Sequence, residues 1–155
     1  MPQASLKEIV DALEMQFEEH STYLDRQTGE VEMVSQDVLR LVEADGSADS
    51  LPQWQQREFD IATALFENPD RFLRLPTQWD IHEWGIMREF AESVEPEPLR
   101  RDLLQALQGK GAFRYFKDTL RRHRREQNWY DYRMRALRET AVDWCKENGI
   151  EYRED

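Results

Sequence analysis

Thr22-Tyr23-Leu24-Asp25-Arg26-Gln27-Thr28-Gly29-Glu30-Val31-Glu32-Met33-Val34 decides the fold class. Before it, Leu6, Ile9, Val10, Leu13 and Phe17 recur at helical spacing, with Glu8, Glu14 and Glu18 on the other side. Within it the period changes: two short β-prone runs flank a loop with glycine late in it. That pattern predicts a hairpin in which Gly29 supplies the positive φ. Helical spacing returns afterwards and persists nearly to the end. The order helix, hairpin, helices, strand, helices makes the chain α+β and predominantly helical. A small antiparallel sheet, the hairpin plus a possible third strand, is expected to pack on a C-terminal helical group.

Working outward, Ser5 with Glu8 three residues on fits a capping box, opening a helix over about 6–20. A short helix is expected over 36–44. The run 45–52, rich in Gly, Ser, Asp and Ala, reads as a loop too short to separate domains. Phe59, Ala62, Leu65 and Phe66 mark a helix that stops before Pro69. Arg71 to Pro76 is the possible third strand. Asp80 can cap a helix striped by Trp84, Met87, Phe90, Ala91 and Val94, and Pro96 and Pro98 open the next. Gly109-Lys110-Gly111 is a turn before a helix carrying Phe113, Phe116 and Leu120. The last helix carries Tyr130, Met134, Leu137, Ala141 and Trp144, and Gly149-Ile150 suits a Schellman stop. Trp84, Phe113, Phe116, Leu120, Leu137 and Trp144 are the expected core positions.

The 155 residues suit one domain with one sizeable core, and 39% hydrophobic content with five Trp is too apolar for a disordered chain. No apolar run approaches the roughly 20 residues a membrane-spanning helix needs. The first residues lack a basic region followed by an apolar stretch, so no secretory signal is expected. The single Cys145 excludes an intrachain disulfide and a multi-cysteine zinc site, and it points to a reducing cytosol. Its place on the apolar side of the last helix suits a small packed hydrophobe.

Charge is unevenly spread. Residues 1–100 carry 22 acidic and 8 basic side chains, whereas residues 110–138 carry ten basic and three acidic, in a chain of net charge −11. At 100° per residue, Arg114, Arg121 and Arg125 would cluster within about a ninth of a turn, flanked by Lys117. Lys110, Arg114, Lys117, Arg121 and Arg125 are therefore the candidate residues for binding an anion or a partner. A protein partner or self-association fits this acidic chain better than nucleic acid, which its net charge repels.

Three stretches carry a resemblance: Leu24-Asp25 with Thr28-Gly29-Glu30-Val31, then Gly109-Lys110-Gly111-Ala112-Phe113 with Phe116-Lys117, then Trp129-Tyr130. Together they resemble a small, acidic, cytosolic bacterial family known by a serial label. That family is marked by a TGEV turn near the front and a GKGAF-x-x-FK segment near the back. The likeness runs from about Tyr23 to Ile150. It implies no activity, cofactor or catalytic residue.

Other chemistry finds little footing. Lys110 to Phe116 echoes the aromatic RNA-binding strand, but Ala112 stands where an aromatic is needed and the spacing is helical. Gly109-Lys110-Gly111 lacks both the earlier glycine and the Ser or Thr of a phosphate loop. A milder role remains open, an anion held at the start of the following helix, against a plain interhelical turn. His20, His82 and His123 are scattered, and Asp25, Glu30 and Glu32 read as solvated turn carboxylates rather than a calcium loop. Asp80 and Glu83 beside Trp79 and Trp84 could form a carboxylate pocket, or simply a cap and a core edge. No metal, cofactor or catalytic residue is expected. A non-enzymatic interaction or regulatory module of the bacterial cytosol leads, with polyanion binding through 110–138 second and an enzyme with a carboxylate-lined pocket third.

Overall fold

The hairpin loop is built around one aspartate. Asp25 Oδ1 accepts a hydrogen bond from Gln27 N at 2.9 Å, Gly29 N donates to the Asp25 carbonyl at 2.8 Å, and Thr28 Oγ1 accepts from Glu30 N at 3.1 Å. Gly29 sits at φ +77°, and a Cβ there would lie 2.5 Å from the carbonyl oxygen of Gln3. Glycine is thus required twice, by the turn and by the backbone passing beside it.

The computed structural model describes residues 2–16, 18–78 and 80–154. Phe17 and Trp79, named above in the first helical stripe and the carboxylate pocket, lie outside them. The elements run β1 (Ala4–Ser5), α1 (Leu6–Glu14), β2 (His20–Asp25), β3 (Val31–Ser35), α2 (Gln36–Glu43), α3 (Gln56–Glu67) and β4 (Phe72–Arg74). Then follow α4 (Glu83–Ser93), α5 (Glu97–Ala106), α6 (Ala112–Arg122), α7 (Glu126–Glu147) and β5 (Tyr152–Arg153). They form two compact units, Met1–Thr77 with Ala141–Asp155, and Gln78–Thr140.

The first unit holds an antiparallel sheet of order β3-β2-β4 and a two-residue parallel pair, β1 with β5. The hairpin register pairs Leu24 with Val31 and Ser21 with Val34, and β4 adds to the other side of β2, with Leu24 opposite Leu73. Within this unit the helices against β3 are α1, α2 and α3. Val34, Val38 and Ala62 form one buried cluster, edged by Leu39, Val42, Leu51, Phe59 and Ile61. Ser5 caps α1 by accepting from Glu8 N at 3.2 Å, as the capping box implies. At the other end of the chain, Ile150 N bonds the Cys145 carbonyl at 2.8 Å and Gly149 N bonds Lys146 at 3.3 Å, a Schellman stop with Gly149 at φ +65°. Cys145 is fully buried, and burial pushes its thiol up to about 11.

Asp25 is also the anchor of the sheet. Its carboxylate is 2% exposed and is gripped from the start of β4 by Arg71, Nε to Oδ1 at 2.9 Å and Nη2 to Oδ2 at 2.7 Å. Burial alone would raise its pKa. The hydrogen bonds from Arg71 and Gln27 and the Arg71 charge outweigh that and hold it below the usual carboxylate value. The reading of Asp25 as a solvated turn carboxylate is overturned: it is buried and paired with Arg71, a residue 46 positions away in sequence.

The second unit is helical and packs around aromatic rings. Phe90, Phe116 and Trp129 meet edge-to-face, with centroids 5.0 to 6.4 Å apart, among Met87, Leu99, Leu103, Leu107 and Leu120. Such contacts add to the burial of the rings themselves. Phe116, Leu120 and Leu137 are buried as the stripes require, and Trp144 is half-buried. Trp84 and Phe113 are corrections. Each lies in the first turn of its helix, Trp84 43% and Phe113 53% exposed, one turn ahead of the layer that begins at Met87 and Phe116.

Two outcomes follow for stability. Phe116→Ala should cost about 3–5 kcal/mol in urea unfolding, whereas Phe113→Ala should stay within about 0.5 kcal/mol of the parent. In Arg71→Met, Asp25 keeps its burial and loses its partner. The wild-type pair stabilises above the unfolded-state value near pH 4, and its contribution is lost as pH falls through the lower folded value. The variant should therefore lag most at pH 7, with the gap in urea midpoint closing below about pH 4. A gap independent of pH would contradict the pairing.

Candidate functional surfaces

Among the described residues no group of three or more His, Cys, Asp or Glu is arranged to hold a metal. Glu83, half of the carboxylate pocket suggested by sequence, is engaged by Arg133 Nε at 2.5 Å. Two surfaces of opposite charge remain, one in each unit.

The basic surface is α6. Gly109 and Gly111 both adopt positive φ, +80° and +76°, turning the chain into the helix with Lys110 between them. Phe116, Thr119 and Leu120 face inward, leaving Arg114, Tyr115, Lys117, Asp118 and Arg121 outside. Tyr115 is 53% exposed, the same as Phe113, and at 100° per residue the two rings lie about 200° apart, one on each flank of the stripe of Arg114, Lys117 and Arg121. Asp118 sits between the arginines, 4.0 Å from Arg114 Nε and 3.8 Å from Arg121 Nη1. Both pairs are exposed, a setting in which such contacts are worth about 0–1 kcal/mol.

The face extrapolated through Arg125 does not form. α6 ends at Arg122, because Arg124 takes the left-handed conformation at φ +58° and Arg125 N bonds back to the Leu120 carbonyl at 2.9 Å. Arg125 thus lies in the turn before α7, half-buried and off the stripe of Arg114, Lys117 and Arg121. Arg122 and His123 instead meet Asp102 of α5, at 3.7 and 3.0 Å.

The acidic surface is an open groove of about 470 Å³ in the first unit, between α1 and the strand β3. Glu8, Asp11, Ala12 and Met15 supply one wall, at the i, i+3, i+4, i+7 spacing of a helix face. The chain from Glu30 to Met33 supplies the other, with Arg57 of α3. Arg57 Nη2 lies 2.5 Å from Glu32 and 3.5 Å from Glu30. Glu32 is mostly buried; burial raises its carboxyl above the ordinary value, Arg57 opposes this and Glu30 adds to it. Met15 and Met33 are exposed on the rim. The sequence reading missed this groove. Its signal was the second face of α1, which holds Glu8 and Asp11 rather than the core residues Ile9 and Leu13.

Comparison with known proteins places the chain in a family. A model of the Uncharacterised protein family (UPF0158) matches residues 4–155. A protein of Pseudomonas aeruginosa named as a UPF0158 protein is 36% identical over 90 residues, which are 57% of this chain and 59% of that protein. No solved structure matches. With a family match over nearly the whole chain, the chain belongs to the UPF0158 family.

Proposed function

We propose that this protein is a non-enzymatic interaction module of the bacterial cytosol that docks an anionic partner on α6. The observation behind this reading is the exposed cationic stripe of Arg114, Lys117 and Arg121, with Lys110 at the helix entry and the exposed rings of Phe113 and Tyr115 on its two flanks. Exposed rings add contact area at low entropic cost, and the neighbouring cations select for negative charge. Asp118 acts as the resident counter-ion, and its weak, solvated pairs let an incoming carboxylate replace it. An acidic protein segment is the preferred partner. A chain of net charge −11 repels a long polyanion at a distance and a short acidic segment much less.

The same two rings favour a second reading, single-stranded nucleic acid, because bases stack on exposed aromatics at about 1–3 kcal/mol each. Anisotropy titrations with a labelled ten-residue glutamate peptide and a ten-residue uridine oligonucleotide separate the two. The peptide should bind at low salt, and replacing Arg114, Lys117 and Arg121 together by Ala should weaken it about tenfold or more, with an unchanged melting curve. Tighter binding of the oligonucleotide, with a salt slope that shallows by about one unit for each contacting cation removed, would establish the second reading instead. Binding of neither probe, or equal binding by the triple variant, would overturn the assignment to α6.

A further inference from the structure

The hairpin register decides which way the backbone of β3 points. Asp25 N bonds the Glu30 carbonyl at 2.9 Å, and Gln36 N bonds the Glu19 carbonyl at 2.7 Å. Bonding partners alternate along an antiparallel pair, so Glu32 and Val34 direct their N–H and C=O groups at β2. Val31 and Met33 direct theirs away from it. β4 occupies the far side of β2, so β3 is an edge of the sheet. At Ser35 the outward N–H is taken by Glu58 Oε2 at 3.4 Å. Among the described residues, the outward groups of Val31 and Met33 have no such partner. They open onto the groove whose walls are α1 and Arg57 of α3. An open edge in a groove is how sheets take up an additional strand.

The groove also specifies what the strand carries. Glu8, Asp11, Glu30 and Glu32 face it against the single guanidinium of Arg57. Arg57 is already shared by Glu30 and Glu32, whereas Glu8 and Asp11 have no ion pair among the described residues. Side chains of an added strand alternate between the two walls. Those reaching α1 meet Glu8 and Asp11, and those on the opposite side meet Glu30 and Glu32 around Arg57. A second copy is a poor occupant. Two β3 edges pairing would bring like-charged carboxylates together, and this chain's own basic segment, 110–138, is held mainly in α6 and α7. From these observations we infer that the β3 edge is a strand-addition site for an extended segment of a partner protein with Lys or Arg at alternate positions. It is separate from the anion-binding surface assigned to α6.

The test uses the whole chain and a labelled peptide, Lys-Thr repeated three times, against its Glu-Thr counterpart and two backbone-methylated versions. One version carries N-methyl groups on every Lys amide, the other on every Thr amide. The Lys-Thr peptide should bind saturably and the Glu-Thr peptide should not. One methylated set should abolish binding while the other leaves it intact, because only alternate amides of an added strand face β3. Reversing charge with Glu8→Lys and Asp11→Lys, both on the exposed face of α1, should weaken the Lys-Thr peptide about tenfold or more while the circular dichroism spectrum stays unchanged. The triple Ala variant of α6 should bind it as the parent does, so this site and the α6 surface stand or fall separately. No binding of the Lys-Thr peptide, or equal binding of both methylated versions, would overturn the strand-addition site.

Discussion

The buried pair of Asp25 and Arg71 is the constraint on which the sheet depends. Taking a carboxylate out of water costs several kcal/mol unless good geometry returns it. Here a two-point grip by the guanidinium and a backbone hydrogen bond from Gln27 supply that geometry. One side chain therefore fixes three things: the end of β2, the turn after it and the start of β4. Shifting β2 by one residue would move Asp25 to the other face and leave two charges without partners. Register in this small sheet is set by charge as much as by the apolar alternation of its strands. With β2 saturated on both sides, β3 is left as an edge.

What could be read from sequence was local. The Gly29 turn, the Ser5–Glu8 cap and the Gly149 stop each follow from a few adjacent residues whose backbone requirements are written in their types. Three features were not legible because their causes are distant or unmarked. Asp25 gives no sign in sequence that its partner is Arg71. The pairing of β1 with β5 joins chain ends through two residues each, too short to carry a period. Arg124 adopts the left-handed conformation without the glycine that usually announces it, and that single residue removes Arg125 from the basic stripe. Phe113 misled for a different reason: its angular position suits a core, but a first-turn residue lies beyond the layer that the stripe contacts.

The uneven charge noted in the sequence acquires a physical meaning in the fold. α6 keeps its cations exposed and only loosely neutralised by Asp118, while the groove beside β3 gathers carboxylates with one shared arginine. Neither arrangement is needed to close a core. Unpaired like charges along a helix face cost a few tenths of a kcal/mol each, a small standing penalty. Both surfaces also hold exposed apolar side chains beside their charges, Phe113 and Tyr115 in one case, Met15 and Met33 in the other.

Among the described residues, the Asp25-anchored register leaves the β3 edge of the sheet open at Val31 and Met33. Native-state amide hydrogen exchange, resolved residue by residue along β3, tests it most directly. Alternation is expected: the amides of Glu32 and Val34 exchange slowly, as donors to β2, while those of Val31 and Met33 exchange quickly. Uniform protection of all four would mean that the outer edge is already occupied within the fold and would contradict an open β3 edge.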